Sequence, residues 1–190
     1  MDLSNHYIST EILSSRILSK IIRSISLSPT ANLCIDVRNP STGDEIRERV
    51  VIDPNEFVEQ EEGAREPPHH FSLKWEGSKK ASTLTVLSAA ELKTALKKKK
   101  GKSKGKDPYM IRNVTAEDNN EYVPVAAFET RGIEPYAFHP MGGEFIVESE
   151  AGMQFDAEDV DLSDDWADYD TENDIAVSIT EFQAKFDDAS

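Results

Sequence analysis

The stretch Phe128-Glu-Thr-Arg131-Gly132-Ile-Glu-Pro135, followed by Gly152-Met-Gln-Phe155, alternates apolar and polar residues and turns at glycine and proline. Such alternation gives a strand one buried and one wet face, and Gly or Pro supplies the reversals. It leads into Ser163-Asp-Asp-Trp166-Ala-Asp168-Tyr169-Asp170, where a Trp and a Tyr stand three apart among Asp156, Asp159, Asp161, Asp164, Asp165 and Asp168. Aromatic rings in so charged a run are read as anchors, each burying its ring and giving its N–H or O–H a partner. The segment from 126 to 170 therefore predicts β structure carrying an acidic surface loop clamped by Trp166 and Tyr169.

Outward from that segment the same grammar continues. Residues 109–114, 122–130, 145–148 and 177–182 read as strands. So do 32–37 and 46–52, joined across Pro40 and Gly43, and 71–75 and 81–87, joined across Gly77. Residues 53–68, acidic and closed by Pro67-Pro68, read as an exposed loop. Residues 88–96 read as a short helix with Ser88 as cap and Glu91 completing a capping box. At the N-terminus, Leu13, Ile17, Ile21 and Ile25 recur every four residues, which predicts an amphipathic helix over 9–25. The end of that segment, Ile25-Ser-Leu27-Ser, alternates like a strand and leaves its type open. The fold class is mainly β: two related antiparallel β halves in an elongated sandwich or barrel-like arrangement, with a short N-terminal helix. The divisions are an N-terminal half (1–96), a lysine-rich disordered linker (97–108), an acidic C-terminal half (109–186) and a frayed tail (187–190).

Charge is divided the same way. Of a net −15 over 190 residues, residues 1–106 carry 18 Lys+Arg against 14 Asp+Glu (+4), and residues 107–190 carry 3 against 22 (−19). A field of that sign repels nucleic acid and steers in basic partners. The opposing feature is the run from Lys97 to Lys106, seven lysines with Gly and Ser, which must stay solvated. It reads as a tether or import signal more readily than as a nucleic-acid site, having no aromatics for base stacking.

Catalytic constellations are missing from the sequence. No Gly-x-Ser-x-Gly elbow, phosphate-cradling glycine loop or paired histidine spacing occurs, and carboxylates are too numerous for any one pair to stand out. Asp159, Asp161 and Asp164 supply acids but not the glycine and spacing of a calcium loop. His69 and His70 are adjacent and would point apart on a strand, and Cys34 is the sole cysteine, so a conventional zinc site has no ligand set. The expectation is a non-enzyme with no metal and no cofactor. No apolar run reaches the length of a membrane helix and the first residues do not form a signal peptide, so a soluble, cytoplasmic protein is expected, with the lysine run admitting nuclear entry.

The runs Thr115-Ala-Glu-Asp-Asn119, Arg131-Gly-Ile-Glu-Pro135, Phe138-His-Pro140, Gly152-Met-Gln-Phe155 and Trp166-Ala-Asp-Tyr-Asp170 resemble the C-terminal half of the eukaryotic CXXC-motif-containing zinc-binding proteins, over about residues 109–186. The resemblance implies an elongated antiparallel β protein of two related halves, with a structural zinc held by two Cys-x-x-Cys pairs in the N-terminal half. Laid onto this chain, the pairs fall on Asn39-Pro-Ser-Thr42 and Trp75-Glu-Gly-Ser78. All four ligand positions (Asn39, Thr42, Trp75, Ser78) have lost their thiols, so the resemblance implies a zinc-less member in which Trp75 fills the vacated volume. Arg131, Gly132, Trp166 and Tyr169 are the implied structural anchors. Asp159, Asp161, Asp164, Asp165, Asp168 and Asp170 are the candidate partner-binding surface. The leading functional expectation is a protein-interaction module, an adaptor or co-chaperone and assembly factor, meeting a basic partner as a monomer. The alternatives are a zinc-binding protein with altered ligands and a nucleic-acid-associated factor acting through residues 97–106.

Overall fold

The computed structural model of the chain describes residues 8–60, 63, 66–99, 109–118 and 121–189. Among the described residues the regular structure is thirteen strands, one α-helix and two short 3-10 turns. The strands are β1 (Ile8–Lys20), β2 (Ile22–Leu27), β3 (Leu33–Arg38), β4 (Ile46–Ile52), β5 (Phe71–Leu73), β6 (Ser82–Leu87), β7 (Val114–Thr115), β8 (Val123–Arg131), β9 (Glu134–Phe138), β10 (Phe145–Ser149), β11 (Gln154–Phe155), β12 (Trp166–Asp170) and β13 (Ile175–Asp188). The helix α1 is Ala89–Lys99.

These strands form three open antiparallel sheets, none closed into a barrel. Their orders are β12-β13-β1-β8-β6-β5, β11-β10-β2-β7 and β4-β3-β9. The six-stranded sheet takes β1, β5 and β6 from residues 1–96 and β8, β12 and β13 from residues 123–188. One core runs through both segments, built on Leu33, Ile35, Ile52, Leu84, Phe128, Phe145 and Ile179, all fully enclosed. Phe138, Phe145 and Phe182, one from each sheet, meet with ring centres 5.5–6.5 Å apart and tie the three layers together.

The predicted N-terminal helix is not formed. Residues 8–27 are β1 and β2, paired with β13 and β8 and with β10 respectively. Three physical causes meet here. Ile and Thr are stiff at Cβ and favour the extended chain, and the many serines compete with helical hydrogen bonds. Register shifts at Leu13/Ser14 and Arg16/Leu18 insert extra residues, and a bulge breaks the two-residue alternation. The apolar residues then repeat every four positions without any helix. Between the strands Ile21 takes a left-handed φ of 58°, which re-aims the chain from one sheet into another.

The two N-terminal hairpins form as read, β3 against β4 and β5 against β6. In α1, the Glu91 N–H donates to Ser88 Oγ (3.3 Å) while Glu91 Oε2 accepts from the Ser88 N–H (2.9 Å), closing the capping box. Leu92 and Leu96, one turn apart, are buried against Ala127 and Ala189. The helix continues through Lys99, so the first three lysines of the run are helical and not part of a linker; residues 100–108 lie outside the described residues. The tail is not frayed as far as Ala189. Asp187 and Asp188 pair with Ile12 and Glu11, and Ala189 is buried.

Candidate functional site

Two regions hold the residues singled out by sequence, and they lie in different parts of the fold. The first is the acidic face on residues 156–174. A 3-10 turn at Ala157–Asp159 is followed by Val160 and Leu162, which drop into the core and pin the backbone between them. Asp159, Asp161, Asp164, Asp165 and Asp168 stay exposed. Trp166 is the anchor expected of it. Its ring is buried edge-to-face on Phe155 at 5.2 Å, and its Nε1–H donates to the Asp159 carbonyl at 2.9 Å. The loop also ties itself together, with the Ser163 N–H donating to Asp161 Oδ1 (2.9 Å) and the Glu181 N–H to Asp165 Oδ1 (3.1 Å). Hydrogen bonds from Ser163 hold the Asp161 carboxyl below its ordinary value, so it stays charged.

Two members of that set belong elsewhere. Tyr169 is not a buried anchor. It lies on the exposed face of β12, and its hydroxyl contacts the Asp174 carboxylate, which raises its proton affinity. Strand alternation explains this: Trp166 faces the core, and three residues on Tyr169 faces out. Asp170 is not surface. It is fully enclosed and accepts from Ser149 Oγ (2.8 Å) and from the Asn173 N–H and Nδ2 (3.0 Å each). Burial alone would raise its pKa, but these donors prevail and lower it. Asp170 is thus a structural clamp at the β12–β13 turn, and the acidic face consists of the other five aspartates.

The second region joins the turn after β3 to the turn after β5. Asn39 is buried, its Nδ2 donating to Glu45 Oε2 (2.6 Å) and its Oδ1 accepting from the Ser41 N–H (3.0 Å). The other carboxylate oxygen, Glu45 Oε1, accepts from the Glu76 N–H at 2.9 Å. Hydrogen bonds from Asn39 and then from Glu76 hold Glu45 below its ordinary pKa. Trp75 is buried, donates Nε1–H to the Gly132 carbonyl (2.7 Å) and carries the Arg47 guanidinium 5.4 Å from its ring centre. Gly132 itself needs its left-handed φ of 67° to turn β8 into β9 and offer that carbonyl. Arg131 is half-buried, its guanidinium 3.1 Å from Glu129. Ser78 closes the turn through its N–H on Trp75 O (3.1 Å), and Thr42 is exposed. The four positions are therefore brought to neighbouring turns, but the side chain that joins the turns is that of Glu45, bonded to Asn39 on one and to the Glu76 N–H on the other.

Sequence reasoning missed Glu45. It also missed the Arg112–Asp118 pair, in which Arg112 Nη1 and Nη2 donate to the carboxylate (2.6 and 2.5 Å) while Thr115 adds its N–H and hydroxyl. The Thr115-x-x-Asp118 spacing, that of a capping box, was the available signal. Among the described residues no cluster of three His, Cys, Asp or Glu side chains is placed to hold a metal, and no helix is long and apolar enough to cross a membrane.

Three antiparallel sheets, two hairpin turns drawn together and an acidic loop pinned by a tryptophan define a mainly β protein. The family model described as "CXXC motif containing zinc binding protein, eukaryotic" matches residues 17–187, and the chain belongs to that family. It is similar to UPF0587 protein CG4646 of Drosophila melanogaster, 45% identical over 73 residues (38% of this chain, 44% of the relative). The CXXC motif containing zinc binding protein of Rattus norvegicus is 36% identical over 77 residues (40% of this chain, 47% of the relative). Each match thus spans about half the length of the curated relative. Two solved structures share the fold across 94% of this chain: C1orf123, with TM-score 0.74 and 22% identity, and a hypothetical protein from Plasmodium falciparum, with TM-score 0.72 and 21% identity. A CXXC motif needs two cysteines and this chain has one, Cys34, buried in β3, where burial raises its thiol pKa. The residues present do not fit a thiolate-bound zinc; this is a member lacking the zinc cysteines.

Proposed function

We propose that the protein is a non-enzymatic protein-interaction module, an adaptor or co-chaperone and assembly factor, that offers the acidic face of residues 156–168 to a basic partner in the cytoplasm or nucleus. One observation carries this reading. Asp159, Asp161, Asp164, Asp165 and Asp168 are all exposed on a backbone locked by buried Val160, Leu162 and Trp166. Fixed charges spend little entropy on association and steer encounter, so they serve a partner better than the same charges on a loose tail would.

Crosslinking with mass spectrometry from native extract tests it. Crosslinks should join the 156–174 segment to lysine-rich surface of one protein, and capture should weaken as salt shortens the Debye length. Replacing the five exposed aspartates with asparagine should abolish capture while leaving the melting temperature near that of the parent. Recovery of no stoichiometric partner even at low salt, or undiminished capture by the asparagine variant, would overturn the proposal.

A further inference from the structure

We infer that the link a metal would make between the two N-terminal turns is made in this chain by the side chain of Glu45, and that the protein folds without zinc. The carboxylate spans the gap with one oxygen on each turn, Oε2 on Asn39 Nδ2 at 2.6 Å and Oε1 on the Glu76 N–H at 2.9 Å. Backbone bonds set it up: the Asn39 N–H donates to the Glu45 carbonyl (2.8 Å) and the Gly43 N–H to the Asn39 carbonyl (2.8 Å), so the turn presents the carboxylate outward toward Glu76. Next to it Trp75 occupies the interior with its indole N–H satisfied by Gly132, which leaves no buried donor orphaned there. A charged acceptor bridging two neutral donors is the stronger kind of hydrogen bond, and here it closes the 31-residue separation between Glu45 and Glu76.

The same geometry argues against a hard cation taking over the site. Both Glu45 oxygens already face N–H donors, which a cation would have to displace. The neighbouring side chains at the positions that the family resemblance assigns to the ligands, Asn39, Thr42, Trp75 and Ser78, bring no thiolate, imidazole or second carboxylate. Link and seal are therefore divided between two residues: Glu45 joins the turns and Trp75 excludes water.

Tag-free protein grown with added zinc gives the first readout. Elemental analysis should find no stoichiometric zinc, and the melting temperature should be the same with and without excess EDTA. Hydrogen exchange gives the second. In Glu45→Ala the Glu76 amide should exchange at least about ten-fold faster, the scale of a lost bond to a charged acceptor, while the Trp166 amide on β12 keeps its protection. Glu45→Gln keeps the shape and one acceptor but sets an NH2 against Asn39 Nδ2, so it should free the Asn39 side and spare Glu76. This second variant keeps the test sharp should the alanine variant fold poorly. One zinc per chain with chelator-sensitive melting, or Glu76 exchange unchanged in Glu45→Ala, would overturn the inference.

Discussion

The indole N–H of Trp166 donates to the main-chain carbonyl of Asp159 at 2.9 Å, so the ring that leaves the acidic loop for the core also holds the loop's first turn. Anchor and display are thus one device, and the two contributions separate by mutation. Trp166→Phe keeps most of the contact with Phe155 and loses the hydrogen bond, and it should cost about 1 kcal/mol. Trp166→Ala also opens a cavity and should cost about 3–5 kcal/mol. Urea unfolding followed by far-ultraviolet dichroism measures both. Equal losses from the two substitutions would show that the bond, not the ring, secures the loop.

Arg112 and Asp118 frame the approach to β8. The Arg112 guanidinium beside Asp118 holds that carboxyl well below the usual carboxylate range; burial opposes this, and Thr115 adds to it. A depressed carboxyl contributes stability that is complete above its unfolded value, about 3.9, and is lost as pH falls through the folded value. Asp118→Asn should therefore cost about 2 kcal/mol at neutral pH and progressively less in strong acid, where the parent's carboxylate is also protonated. Urea midpoints taken at neutral and acid pH check the convergence, and parallel curves would refute it.

What the sequence disclosed follows from how local each signal was. The hairpins β3–β4 and β5–β6, the capping box at Ser88 and Glu91, and the anchoring role of Trp166 all depend on residues near one another in the chain, and each was legible. The strands at 8–27 were hidden because bulges imposed a helix-like spacing on extended chain, and a bulge is set by pairing partners more than a hundred residues away. Asp170 and Tyr169 were misplaced because composition does not tell which face of a strand is covered. Glu45 escaped notice because its role exists only once Glu76 has been brought beside it. The missing thiols could be counted; their replacement required three dimensions.

His70 gives a second acid-side prediction, closer to neutrality. Its Nδ1 accepts the Val86 N–H at 2.9 Å and its ring stacks on Phe57 at 4.5 Å, so the neutral imidazole is the form that fits. Burial lowers its pKa; Glu91 and Asp53 pull the other way without prevailing, and His69 adds to the lowering. With the folded value below the unfolded one of about 6.5, stability is complete above that pH and declines as pH falls from it through the folded value. Asn at position 70 offers Oδ1 to the same N–H without titrating. His70→Asn should remove the His70 share of the decline, seen as a smaller fall in urea midpoint from neutral to mildly acid pH in the variant than in the parent. A decline as large in the variant as in the parent would place its origin in another group.

Glu144 has the opposite sign. Its side chain is buried at the Met141–Glu144 turn, where Oε1 accepts the Met141 N–H at 2.7 Å and Oε2 finds no hydrogen-bond donor among the described residues. Burial pushes its pKa up; the Met141, Glu144 and Gly142 N–H groups offset part of this, and the neighbouring Asp161 charge reinforces it. A raised carboxyl favours the folded state only while it is protonated, so it loses stability as pH rises from the unfolded value of about 4.3 through the folded one. Glu144→Gln keeps a carbonyl for the three N–H donors and puts no charge in the interior. The variant should unfold at higher urea than the parent at pH 7 and lose its advantage in acid, where the parent carboxyl is neutral as well. Lower stability at pH 7 would mean that the ionised carboxylate, held by its backbone donors, is the form this turn was built to keep.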